Sequence, residues 1–204
     1  MSGATVEALL AHPTVVRLER ALRAEPGAQL TLSDPLRRAA VALILRDPGD
    51  GTLEFLLIKR ADYEGDPWSG HVALPGGRHE QGDASLEATA VRETWEETGI
   101  DLTRWGRVIG RLDELQPRTP LLPQIAIAPY VALLGDASEL RLSEEVDAAF
   151  WVPLAALLDA QSWSDVELQV RGEKRVFPAF LYRGYVIWGL TERILTQFRT
   201  RLSA

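Results

Sequence analysis

The chain has 204 residues, 46% of them apolar and 25% charged, which excludes wholesale disorder and collagen-like repeats and suits one domain with a good-sized core. Net charge is −7, with 29 acids against 22 bases; a broad basic face for nucleic-acid polymers is excluded, and an anionic substrate must be met by metals or by a few placed arginines. The absence of cysteine removes disulfide frameworks, thiolate metal sites and cysteine nucleophiles, and three histidines are too few for a histidine-rich metal site.

In chain order, the opening MSGATVEALL has no basic stretch before an apolar core, so no secretory signal is expected. The longest apolar runs, 39–45 and 125–134, fall far short of the ~20 residues of a membrane helix, and the expected setting is cytoplasmic, without membrane contact. Pro13 ends or precedes a helix, and Val15, Val16, Leu18 and Leu22 give an apolar stripe over 14–24. Loops follow at Pro26-Gly27 and Asp34-Pro35. Residues 39–45 and 53–58 read as strands joined by the turn formers Asp47-Pro48-Gly49-Asp50-Gly51. Residues 61–83 hold too few periodic apolar positions for a long element. A helix is predicted from about Ser85 to Thr98, stopped by Gly99. Strands are predicted at 107–112, 125–133, 150–152, 166–170 and 176–181, and a closing helix at 190–202. This alternation implies an α/β (α+β) fold, a mixed sheet between helices, with residues 1–38 as an N-terminal helical extension and 39–204 as the main domain.

The chemistry concentrates between Leu74 and Ile100. On a helix at ~100° per residue, Glu93, Glu96, Glu97 and Arg92 share a sector of about 140°. Glu93 and Glu97 are an i,i+4 like-charge pair, and all three acids sit near the negative end of the helix dipole. Each penalty is a few tenths of a kcal/mol when exposed, and a hard divalent cation reverses the sign of both. Arg92 can hold Glu96, four residues on, without blocking its second oxygen. On an arbitrary helix three glutamates describe a solvated face. Here they follow Pro75-Gly76-Gly77, whose glycines allow close backbone approach, and they precede a helix-ending Gly99.

In these residues the chain resembles the Nudix hydrolases. Their box runs Gly, five residues, Glu, seven residues, Arg-Glu, an apolar residue, any residue, Glu-Glu, any residue, Gly, apolar. Here Gly77 is followed by five residues and Asp83, then eight residues, then Arg92-Glu93-Thr94-Trp95-Glu96-Glu97-Thr98-Gly99-Ile100. Asp replaces Glu, the spacer is one longer, and Thr94 holds the apolar slot. Asp83 reads as an N-cap for the helix, a tie between loop and helix, or both. The Asp and the longer spacer are similar to the coenzyme A diphosphatase branch. Its upstream pattern is approximated by Leu56-Leu57-Ile58-Lys59-Arg60-Ala61 and by Gly70 through Gly77, with Asp66 where that pattern has an arginine. The tail from Tyr182 to Thr191 is also similar.

The resemblance implies a Nudix fold and hydrolysis of a nucleoside diphosphate derivative with Mg²⁺ or Mn²⁺. Coenzyme A or a derivative is the first candidate, giving 3′,5′-ADP and 4′-phosphopantetheine. ADP-ribose, a dinucleotide or a nucleoside triphosphate is the alternative, and a non-catalytic ligand-binding module a minor one. The implied metal ligands are Glu93, Glu96 and Glu97, with the carbonyl of Gly76. Arg92 orients the glutamates; Arg60, Arg78 and Gly77 meet the substrate. The base is a box glutamate or one from a distant loop, where Glu144 and Glu145 are the candidates, although Ser143 followed by two acids also matches an ordinary helix start. A homodimer is the assembly that the resemblance suggests.

Overall fold

A computed structural model describes residues 3–31, 37–65, 68–119, 122, 124–135, 139–170 and 172–203. Two helices open it. Thr5 caps α1 (Val6–Ala11) by accepting from the Ala8 N–H at 3.2 Å. The His12 ring caps α2 (Pro13–Ala24), with Pro13 in its first turn, where no N–H is needed. The buried stripe of α2 is Val15, Leu18 and Leu22; Val16, expected within it, is 50% exposed. The stripe that meets the sheet is narrower than the apolar spacing suggested.

Strand β1 (Arg38–Arg46) turns through Asp47, whose Oδ1 accepts from the N–H groups of Gly49, Asp50 and Gly51, into β2 (Glu54–Arg60). Two short strands follow, β3 (Val72–Ala73) on β2 and β4 (Gly76–Arg78) on the first part of β1. After α3 (Leu86–Thr98) and the single turn α4 (Leu102–Trp105) come β5 (Gly106–Arg111), β6 (Ala126–Leu134) and β7 (Val146–Pro153). Among the described residues these seven strands form one mixed sheet, ordered β3-β2-β1-β6-β5, with β7 on β2 and β4 on β1. β1 and β6 run parallel; the remaining pairs are antiparallel. After α5 (Leu154–Leu158), β8 (Trp163–Val170), β9 (Glu173–Tyr182) and β10 (Tyr185–Trp188) make a second sheet, and α6 (Leu190–Ser203) closes the chain. No helix among the described residues is long and apolar enough to cross a membrane.

Alternation along the strands divides the core in two. Leu43, Leu45, Phe55, Leu57, Val131 and Leu133 face α1, α2, α6 and the second sheet, so the helices before residue 38 share one hydrophobic cluster with the rest. The opposite face, under α3, carries Ala40, Ala42, Ala128 and Ala132 alongside Ile44, Leu56 and Leu134. Those alanines let α3 lie close to the sheet. The expected mixed sheet between helices is what the chain forms.

Candidate functional site

Local chemistry fixes both ends of α3. Ser85 is the N-cap, its side chain accepting from the Ala88 N–H, and Gly99 ends the helix in the left-handed conformation (φ 72°) with its N–H on Trp95. Asp83 is therefore not the cap. Its carboxylate, 6% exposed, takes the Arg92 Nε at 2.9 Å and Nη2 at 3.0 Å, the Glu80 N–H at 3.0 Å and the Thr89 hydroxyl at 2.8 Å. Arg92 beside it holds the Asp83 carboxyl well below the usual carboxylate range. The loop is thus tied to the middle of the helix, and His79 extends the tie through Thr89 (2.8 Å).

Arg92 reaches three further partners. Nη1 lies 2.8 Å from Glu96 Oε2 and 3.0 Å from Glu93 Oε1, and Nη2 donates to the Arg78 carbonyl at 3.1 Å. Each of the two glutamate contacts uses one oxygen of the carboxylate, as the spacing of Arg92 from Glu96 suggested. Glu97 points inward and is 2% exposed. Its Oε2 accepts the Gly76 N–H at 2.8 Å, and Arg60 Nη1 stands 3.8 Å from Oε1. Burial pushes this carboxyl up to about 7 against the pull of that N–H and of Arg60, with the charges of Glu93 and Glu145 pushing the same way as burial. Burial also raises Glu93, again with Glu145 among the charges acting on it.

The two glycines act by what they lack. A Cβ on Gly77 would fall 2.4–2.6 Å from the Glu93 carboxylate. Gly76, at φ 148°, leaves room for the backbone of Ala40 and Val41 and enters the site through its N–H. Arg78 is exposed on β4. Asp66, the departure within the upstream pattern, lies outside the described residues, as do Asp34 and Pro35 of an expected loop.

Glu144 and Glu145 open no helix. They form a turn into β7, where the β-branched Val146 starts the strand. Ala61 at the end of β2 donates its N–H to the Glu145 carbonyl at 2.9 Å, and Ser143 donates its own to the Glu97 carbonyl at 3.1 Å. Glu145, rather than Glu144, figures among the main charges acting on Glu93 and Glu97. Ser143, which the sequence offered only as a helix start, instead accepts the Glu145 N–H on its hydroxyl at 3.3 Å, the turn contact that a serine can make with the N–H two residues on.

Among the described residues no three carboxylate or imidazole side chains converge as a ready metal cage; Arg92 engages Glu93 and Glu96, and the Gly76 N–H engages Glu97. The donor set nevertheless suits a hard divalent cation. It is all oxygen, it includes a buried carboxylate whose charge lacks full compensation, and Gly77 keeps the space beside Glu93 clear.

A sheet between helical layers, with a glycine loop and an acidic helix on one face, defines the Nudix class of fold. In solved structures it matches a MutT/nudix family protein from Enterococcus faecalis, with a TM-score of 0.56, 17% identity, and coverage of 97% of this chain and 73% of that one; this is a likeness of fold alone. The chain belongs to the NUDIX domain family, whose model matches residues 35–170. Among curated proteins it is 35% identical over 173 residues to an uncharacterized protein of Schizosaccharomyces pombe, covering 75% of this chain and 53% of that one. It is 33% identical over 168 residues to Nudix hydrolase 15, mitochondrial, of Arabidopsis thaliana (78% and 56%). It is 34% identical over 167 residues to the uncharacterized Nudix hydrolase NudL of Photorhabdus laumondii (81% and 85%). The chain spans about half the length of the first two and most of the third.

Proposed function

We propose that the chain is a Mg²⁺- or Mn²⁺-dependent hydrolase that cleaves the diphosphate of a nucleoside diphosphate derivative, with coenzyme A or a derivative as first substrate. The observation that carries this reading is the pairing of a buried Glu97, raised to about 7, with a glycine-cleared Glu93 one turn earlier and the charge of Glu145 acting on both. Glu93, Glu96 and Glu97, with the Gly76 carbonyl, are the residues that would hold the cation. When bound, it supplies neutralisation of the diphosphate oxygens and acidification of the attacking water.

The protein's own groups do the rest. Arg92, fixed by Asp83, sets the rotamers of Glu93 and Glu96. Glu145 takes the proton of the water as it attacks phosphorus and the bridging P–O bond breaks. Arg60 and Arg78 meet the phosphate oxygens. Coenzyme A as the named substrate rests on resemblance, and the fold supports it by bringing the resembling stretches together. The Arg60 N–H donates to the His71 carbonyl at 3.0 Å, Ile58 pairs with Ala73, and the His71 ring lies 4.8 Å from that of Trp188 in the tail.

The test is a panel of coenzyme A, acyl-coenzyme A, ADP-ribose, NADH and nucleoside triphosphates with Mg²⁺ or Mn²⁺, products identified. Formation of 3′,5′-ADP and 4′-phosphopantetheine at the highest kcat/KM is expected. Coenzyme A ranking well below ADP-ribose overturns the named substrate, and no turnover of any of them with either metal overturns the hydrolase reading.

A further inference from the structure

The segment from 139 to 145 is strapped to the C-terminal turn of α3. The Arg141 N–H donates to the Thr98 carbonyl at 2.8 Å and the Ser143 N–H to the Glu97 carbonyl at 3.1 Å. Gly99 permits this approach, since a Cβ there would meet the Arg141 Cβ at 3.0 Å. Within the strap Ser143 is the hub. Its carbonyl accepts from Val146 at 3.2 Å and its hydroxyl from the Glu145 N–H at 3.3 Å, while the Glu145 carbonyl takes the Ala61 N–H at 2.9 Å. The backbone of Glu145 is therefore held on both sides. One hold comes from a residue that is itself hydrogen-bonded to the peptide of Glu97.

We propose that Ser143 is a positioning residue that sets the reach of the Glu145 carboxylate toward the water attacking phosphorus; this rests on the reading of Glu145 as the base. The strap places base and acidic helix in one frame, so that the distance between Glu145 and the carboxylates of α3 does not drift with the turn. Of the three polar groups of Ser143, only the hydroxyl is removed by a substitution to alanine. A serine hydroxyl that accepts the N–H two residues on stabilises one turn conformation against others. Its loss leaves the turn in place, through Val146 and Glu97, and releases the N–H of Glu145 while its carbonyl stays on Ala61, so that the base is held on one side only.

Kinetics with Mg²⁺ on the substrate that leads the panel test this through a double-variant cycle. Ser143→Ala is expected to lower kcat about tenfold, the equivalent of one modest hydrogen bond, with KM within about twofold. Ser143→Thr, which keeps the hydroxyl, is expected to restore the rate. Glu145→Gln is expected to lose at least about 100-fold, and in that background Ser143→Ala adds nothing. Losses that multiply instead mean that Ser143 acts elsewhere and overturn the inference. A normal kcat for Ser143→Ala beside an impaired Glu145→Gln also overturns it, while leaving Glu145 as base. A normal kcat for Glu145→Gln removes the base assignment and this inference with it, without touching the metal ligands. Thermal unfolding of each variant separates these outcomes from loss of fold, since a purely structural role for Ser143 lowers the melting temperature and leaves kcat per folded molecule unchanged.

Discussion

Replacing Glu97 by glutamine is expected to stabilise the metal-free protein while destroying its activity, and the stabilising part can be worked out from the site. Burial raises the carboxyl from its ordinary 4.5 to about 7 in the folded state. Between those values the folded chain holds a proton that the unfolded chain has released, so stability falls as pH rises, and it levels off once the folded group ionises. At about 1.4 kcal/mol per unit, the metal-free wild type loses roughly 3 kcal/mol across this window. Glutamine keeps an oxygen for the Gly76 N–H and has no charge to bury, so its stability does not follow that slope. Urea unfolding in EDTA from pH 4.5 to 8 should show the two proteins diverging until about pH 7. Above it, the variant's melting temperature should be higher by about 6 to 12 °C for a chain of this size. With saturating Mg²⁺ the same variant should turn over at least ~100-fold more slowly. Parallel stability curves across the window would refute the burial argument, and a near-normal rate would refute the assignment of Glu97 to the cation.

Two other substitutions probe the frame around it. Gly77→Ala should lower kcat by at least ~100-fold at saturating metal, because its methyl occupies the volume of the Glu93 carboxylate; its circular dichroism spectrum should match that of the wild type, and a wild-type rate would show that Glu93 can move without consequence. Asp83→Asn should cost about 1–3 kcal/mol in urea unfolding at neutral pH, since it removes the charge that two Arg92 N–H groups face. The Asp83 carboxyl is depressed in the folded state, so this advantage of the wild type is complete above the unfolded carboxylate range near pH 4 and fades as pH falls toward the folded value.

Where the determinants were local, the sequence was sufficient. Ser85 and Gly99 bound α3 to within a residue of the expectation because capping and the left-handed stop are decided by the residues themselves. The shared sector of Arg92, Glu93 and Glu96 follows from helical spacing alone, and the structure shows its contacts. What escaped depended on partners far away in the chain. β3 and β4 are two and three residues long and exist because β2 and β1 offer them edges, and no periodicity can show in so short a run. The strand expected at 150–152 begins at Val146, because pairing with β2 as far as Arg60 extends it. Asp83 carried two readings, a cap and a tie from loop to helix, and the tie is the one that the structure shows. The better-placed Ser85 took that position, and the partner that recruits Asp83, Arg92, lies on the helix itself. For the base, the sequence left a box glutamate, Glu144 and Glu145 open together; the preference for Glu145 comes from its charge acting on Glu93 and Glu97, a neighbourhood made by the fold and invisible in the spacing.

The packing of α2 against α6 bears on how this protein can be cut. The family-matched stretch, 35–170, leaves out both helices, yet Val15, Leu18 and Leu22 of one and Ile194, Leu195 and Phe198 of the other fill the same hydrophobic cluster under the sheet. Glu25 pairs with Arg201 across their ends, and Gln197 accepts the Asp113 N–H. A fragment trimmed to the matched stretch would bare the underside of the sheet to water and aggregate, with every box residue still in its sequence. For expression or crystallisation, the smallest useful piece must keep both helices.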